Sequence, residues 1–160
     1  MKPFYLLFSF FFLLFACGKD ESPKEPDQQP TIRPIELIAI INNDTFLADK
    51  FQVNTAISGG MYQINASSNG QRVSIIFSAK PEIKKYDIAS DFALNEVSIN
   101  WFEDELYSGS NHRVNNGTLE VISYNNSIIE CMFNGTAPRI TNSSKVAQIK
   151  NGTLKAQFPD

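Results

Sequence analysis

The sequence predicts an all-β body, an antiparallel β-sandwich or open barrel of about ten short strands, carried behind a signal peptide and a disordered stalk. Two observations carry this. Apolar and β-branched residues recur with period two in run after run, as in "RVSIIF", "VSINW", "GTLEV" and "IIECMF". Between the runs stand residues that tolerate positive φ: Ser-Gly-Gly at 58–60, Asn-Gly at 69, 116, 134 and 151, and Asn125-Asn126. Short strands separated by such turns build sandwiches and barrels rather than helical layers.

In chain order, the expected strands run Ile35 to Asn42, Thr45 to Ala48, Gln52 to Ser58, Met61 to Ser67 and Arg72 to Ser78. Val73, Ile75 and Phe77 share one face of the fifth. Pro81 to Asp91 reads as a loop or a short helical turn. Glu96 to Phe102 follows, with Val97, Ile99 and Trp101 on one face, and then Glu105 to Ser108. Thr118 to Tyr124 places Leu119 and Val121 together, and Ser127 to Asn134 does the same for Ile129, Cys131 and Phe133. The last strand, Lys145 to Phe158, has a break point at Asn151-Gly152. Asn-Gly-Thr recurs at 116–118, 134–136 and 151–153, which reads as repeated turn chemistry because the intervening residues do not match. The same explanation covers the Asn-x-Ser/Thr triplets at Asn43, Asn65, Asn116, Asn125, Asn134, Asn142 and Asn151.

The body is expected over residues 35–160, a length that suits one domain with one core. Ahead of it, Phe4 to Ala16 is apolar apart from Ser9 and follows a single basic residue, Lys2. A bilayer span needs about 20 apolar residues, so this stretch reads instead as a signal peptide over residues 1–16. Leu14-Phe15-Ala16-Cys17 resembles a bacterial lipobox, in which the cysteine is acylated and becomes the new amino terminus. Phe15 departs from that pattern, which favours a smaller side chain there. Several acyl chains on Cys17 would make the membrane the first partner, because one chain alone binds only marginally.

Residues 17–34 hold that cysteine and a linker with Pro23, Pro26, Pro30 and Pro34 among Lys, Asp, Glu and Gln. Such a composition buries too little apolar surface to offset the entropy of ordering. Stretched at about 3.1 Å per residue, the stalk reaches roughly 50 Å. Within it, Lys19-Asp20-Glu21 is similar to the tag that sends Bacteroidota lipoproteins to the outer face of the outer membrane.

The pieces "AIINNDTFLA", "NNGTLEVISYNN", "IIECMFNGTA" and "AQIKNGTLKAQF" resemble a family of small Bacteroidota lipoproteins that carry a domain of unknown function. Residues 35–160 are covered for the most part. The resemblance implies an all-β body behind a lipobox on the bacterial envelope. It implies no catalytic residues.

Chemistry is sparse. Removing residues 1–16 takes away Lys2 and no acid, so 17 Asp and Glu face 13 Lys and Arg. Without a basic patch, nucleic acid is not an expected partner. Once Cys17 carries lipid, Cys131 has no partner for a disulfide and reads as a buried, inert thiol. His112, the one histidine, falls in "SGSNHRVNNG" and reads as an exposed loop residue. Glu103 and Glu105 alternate along the chain and form the candidate pair for a hydrolase or for calcium. Trp101, Phe102, Tyr107 and Tyr124 are the candidate ligand-binding residues, as an aromatic platform for a glycan or a small apolar molecule. No cofactor or metal motif stands out. The expected role is therefore non-catalytic: a lipid-anchored binding or accessory domain on the envelope surface, with an envelope protein or a glycan as partner.

Overall fold

A computed structural model describes residues 35–57, 60–90, 96–104, 106 and 108–158. Cys17, the Lys19-Asp20-Glu21 segment, Glu105 and Tyr107 lie outside them. The described residues form eleven strands: β1 (Glu36–Ile41), β2 (Asp44–Leu47), β3 (Lys50–Ile57), β4 (Met61–Ser68), β5 (Gln71–Phe77), β6 (Lys85–Ile88), β7 (Val97–Phe102), β8 (Asn111–Arg113), β9 (Asn116–Asn125), β10 (Ile128–Arg139) and β11 (Asn142–Gln157). All strand pairings are antiparallel, and the sheet is not closed into a barrel.

The tight hairpins obey their local chemistry. Asn42 and Asn43 join β1 to β2 at φ 53° and 75°, and Asn69 and Gly70 join β4 to β5 at φ 50° and 76°. Two successive positive φ values fit the right-handed twist of the strands, and asparagine and glycine accept them most readily. Asn126 and Ser127 turn β9 into β10 in the same way, at φ 48° and 61°.

The strand order is β2-β1-β11-β10-β8-β7-β5-β4-β3, with β9 and β6 branching from β10. Over Ile128 to Thr136, β10 pairs with β9, and further on Arg139 pairs with His112 of β8. The sheet therefore divides at β10 into two leaves. One holds β2, β1, β11, β10, β9 and β6, and the other β8, β7, β5, β4 and β3. Rings meet from both leaves: Phe77 of β5 with Tyr86 of β6 at 5.8 Å, and Tyr62 of β4 with Phe158, just past β11, at 5.1 Å. The two ends of the order, β2 and β3, are consecutive in the chain, and Ala48 and Asp49 bond to Leu37 and Ser67 as the chain crosses between leaves.

Alternation assigns the core. Val73, Ile75, Phe77, Val97, Ile99, Trp101, Leu119, Val121, Ile129, Cys131 and Phe133 are all buried, on the faces their period-two spacing gives them. Burial of this apolar surface, at about 25 cal/mol per Å2, supplies the main favourable free energy of the fold.

Four expectations need correction. Within Pro81 to Asp91 the chain forms β6, paired with β9, with Tyr86 and Ile88 buried between outward Lys85 and Asp87. Two alternations are too few to declare a strand locally, and the pairing with β9 supplies the rest. Of the strand expected from Glu105 to Ser108, Glu105 and Tyr107 lie outside the described residues, while Leu106 is in a turn and Ser108 opens the 3-10 turn Ser108–Ser110, which β8 follows. β11 runs unbroken past Asn151-Gly152. The Asn-Gly pairs at 116, 134 and 151 are not turns, because each lies inside a strand.

Candidate functional site

The three described rings of the expected platform do not assemble. Trp101 is only 5% exposed on the inner face of β7, its ring centroid 4.9 Å from that of His112. Phe102, on the opposite face, is half-buried beneath the Arg72 guanidinium, 4.1 Å from the ring centroid. Tyr124 sits near the end of β9, edge-on to Phe158, with the Lys80 ammonium 5.5 Å from its ring. Each ring packs in its own surroundings, and the buried Trp101 presents no face to a ligand.

His112 differs from its expected place. It is 1% exposed, on β8, where the two leaves join. Nδ1 lies 2.9 Å from the Ala137 carbonyl oxygen, and Nε2 lies 3.0 Å from Glu103 Oε1. Both ring nitrogens thus have an oxygen within hydrogen-bond distance. Glu103 Oε2 meets Arg139 at 3.2 Å, which occupies the second carboxylate oxygen. Close by, Ser110 donates its hydroxyl to the Asp104 carbonyl and accepts from the Asp104 amide. Glu103 thus ties together a corner that joins the β7–β8 link to β10, with one oxygen facing His112 and the other Arg139. Its candidate partner Glu105 lies outside the described residues. Among the described residues, no three His, Cys, Asp or Glu side chains gather to hold a metal ion.

Cys131 is buried and free, as alternation predicts. Burial pushes its thiol up to about 12, because the thiolate would lose its hydration there.

A wide concavity lies elsewhere among the described residues, on the outer face of the leaf formed by β6, β9, β10 and β11, and has a volume of about 1260 Å3. Its cause is the Asn-Gly-Thr recurrence. The turn at Asn126-Ser127 folds the first two copies into register, so that Gly117 faces Gly135, Thr118 faces Asn134, and Asn116 faces Thr136. The third copy lies alongside on β11, where Gly152 faces Phe133 and Thr153 faces Met132.

The glycines permit close approach on the inner side. A Cβ on Gly117 would stand 2.3 Å from the Asn134 carbonyl oxygen, one on Gly135 2.5 Å from Val114 Cγ1, and one on Gly152 2.4 Å from the Phe133 ring. Val114 and Phe133 close up beneath the strands, and the sheet sinks towards the core. β11 also carries one residue more than either neighbour between Ile149 and Gly152, with Asn151 at φ 49°. Such a bulge bends its strand and deepens the depression.

Because side chains alternate, the residues flanking the glycines point outward. Asn116, Asn134, Gln148 and Thr153 are exposed, and Thr118 and Thr136 are half-buried. Asp87 and Glu120 stand on the β6 and β9 side, with Lys150 across from them on β11. The sequence contained a usable signal for this face: Asn126 lies midway between Gly117 and Gly135, which is the arithmetic of a hairpin. The chain matches no protein-family model, and no curated protein or solved structure is found to be similar to it.

Proposed function

We propose that this chain is a lipid-anchored binding domain of the bacterial envelope, acting without catalysis and presenting the β6–β9–β10–β11 depression to its ligand. The proposal includes acylation at Cys17, removal of residues 1–16, and delivery by Lys19-Asp20-Glu21 to the outer membrane surface. It also includes membership in the small Bacteroidota lipoprotein family that the chain's motifs resemble.

The observation that carries the binding role is the glycine set of β9, β10 and β11, in which Gly117 pairs with Gly135 and Gly152 lies two residues further along, opposite Phe133. It gives up side-chain packing and leaves a wide polar hollow on the sheet. Sites for ligands are concave and carry a few placed polar groups on a rigid framework. Engagement of Glu103 by His112 and Arg139 favours binding over hydrolysis at the acidic corner.

Mass spectrometry of protein purified from its native membrane tests the anchor. A diacylglyceryl thioether on Cys17 and loss of residues 1–16 are expected, and Cys17→Ser should abolish both. An intact leader, or an unmodified amino terminus at residue 17, would overturn the assignment of place. Protease accessibility on intact cells, with and without replacement of Lys19 to Glu21, tests the exposed face.

A further inference from the structure

We infer that the depression binds an uncharged, hydroxyl-rich glycan chain, read by the amide and hydroxyl side chains of the Asn-Gly-Thr band. The inference rests on the binding role proposed above and names its ligand class.

Its basis is the composition and register of the floor. Thr118 stands opposite Asn134, Asn116 opposite Thr136, and Thr136 opposite Gln148, so amides and hydroxyls run side by side over three strands. Neighbouring strands lie about 4.8 Å apart and alternate residues of one strand about 6.7 Å apart. The floor is thus a grid of polar groups on the scale of single sugar rings. Amide and hydroxyl groups donate and accept at once, which is also what every sugar hydroxyl does.

Other ligand classes fit less well. A peptide added as a strand needs a free sheet edge, whereas this hollow lies on the face of strands that already pair with one another. Apolar ligands need apolar anchors, and Met132 is the one large apolar side chain of the lining that is exposed. Phosphate-rich or other anionic polymers would meet two carboxylates, Asp87 and Glu120, against the single ammonium of Lys150. The Asn134 amide already donates to Thr118 Oγ1 at 3.3 Å, which orients its remaining hydrogen-bonding capacity without spending it.

Affinity electrophoresis of the full-length, detergent-solubilised protein provides the test. The gels contain dextran, mannan, galactan or xyloglucan, with dextran sulfate as the anionic probe. Retardation by at least one neutral polysaccharide is expected. Asn134→Ala combined with Gln148→Ala should weaken it at least tenfold, while thermal unfolding confirms that the exposed substitutions leave the fold intact. Lack of retardation by every neutral polymer, retardation by dextran sulfate alone, or neutral binding that ignores both substitutions would overturn the inference. The proposed binding role fails separately, if no envelope component of any class is retained by the wild-type chain in a manner the same two substitutions abolish.

Discussion

Replacing Gly152 by alanine probes the physical origin of the depression. The added Cβ would lie 2.4 Å from Phe133 Cε2 and 2.6 Å from both Cδ2 and Cζ, well inside carbon–carbon contact. Phe133 cannot retreat into solvent, since it is 2% exposed and packed in the core. Either its ring leaves its rotamer or β11 moves away from β10. Overpacking of this kind costs about 1–3 kcal/mol, or a fall in Tm of roughly 3–6 °C per kcal/mol for a body of this size. Urea unfolding monitored by Trp101 fluorescence measures the loss as a lower midpoint at constant slope. Phe133→Leu alone should cost about 1–2 kcal/mol by leaving space. Combined with Gly152→Ala, it should leave the chain at least about 1 kcal/mol more stable than the sum of the two losses, because the methyl group enters the vacated volume. Strict additivity, or a Gly152→Ala loss below about 0.5 kcal/mol, would refute the reasoning that the missing side chain lets Phe133 close up under the strand.

Three further outcomes follow from the same packing and hydrogen-bond geometry. His112→Phe keeps the ring beside Trp101 but removes the two ring nitrogens that face the Ala137 carbonyl and Glu103. It should cost about 2–4 kcal/mol in urea unfolding, whereas Glu103→Gln, which still accepts from His112, should cost about half as much or less. Thiol titration at pH 8 should find Cys131 unreactive in the native protein and reactive once unfolded, since burial holds its thiol up to about 12. The unfolded thiol ionises first, from 9.0, so this residue's contribution to stability is complete below pH 9 and falls as pH rises towards 12. Its limit is about 4 kcal/mol, read as the difference in alkaline stability between wild type and Cys131→Ala. Asn43→Gly should stabilise the β1–β2 hairpin by about 0.5 kcal/mol in thermal unfolding, since φ 75° strains any side chain and glycine relieves it.

The sequence by itself determined the class of fold, the inward faces of β5, β7, β9 and β10, the burial of Cys131, and the turns at Asn69-Gly70 and around Asn126. Side-chain period and turn chemistry are properties of a few neighbouring residues, so they can be read along the chain. Identical letters had the opposite outcome at Asn116-Gly117, Asn134-Gly135 and Asn151-Gly152. There glycine is needed because Val114 and Phe133, brought from other positions, press against the backbone, and no local pattern records that approach. The same holds for His112, polar on both sides in sequence and yet enclosed by Trp101, Glu103 and Ala137 once β8 meets β10. β6 also becomes a strand only because β9 lies beside it. For the candidate site the spacing of Gly117 and Gly135 about Asn126 holds the register of one hairpin, and tertiary structure decided the rest, since a concave face arises from contacts between strands and β6 and β11 come from elsewhere in the chain.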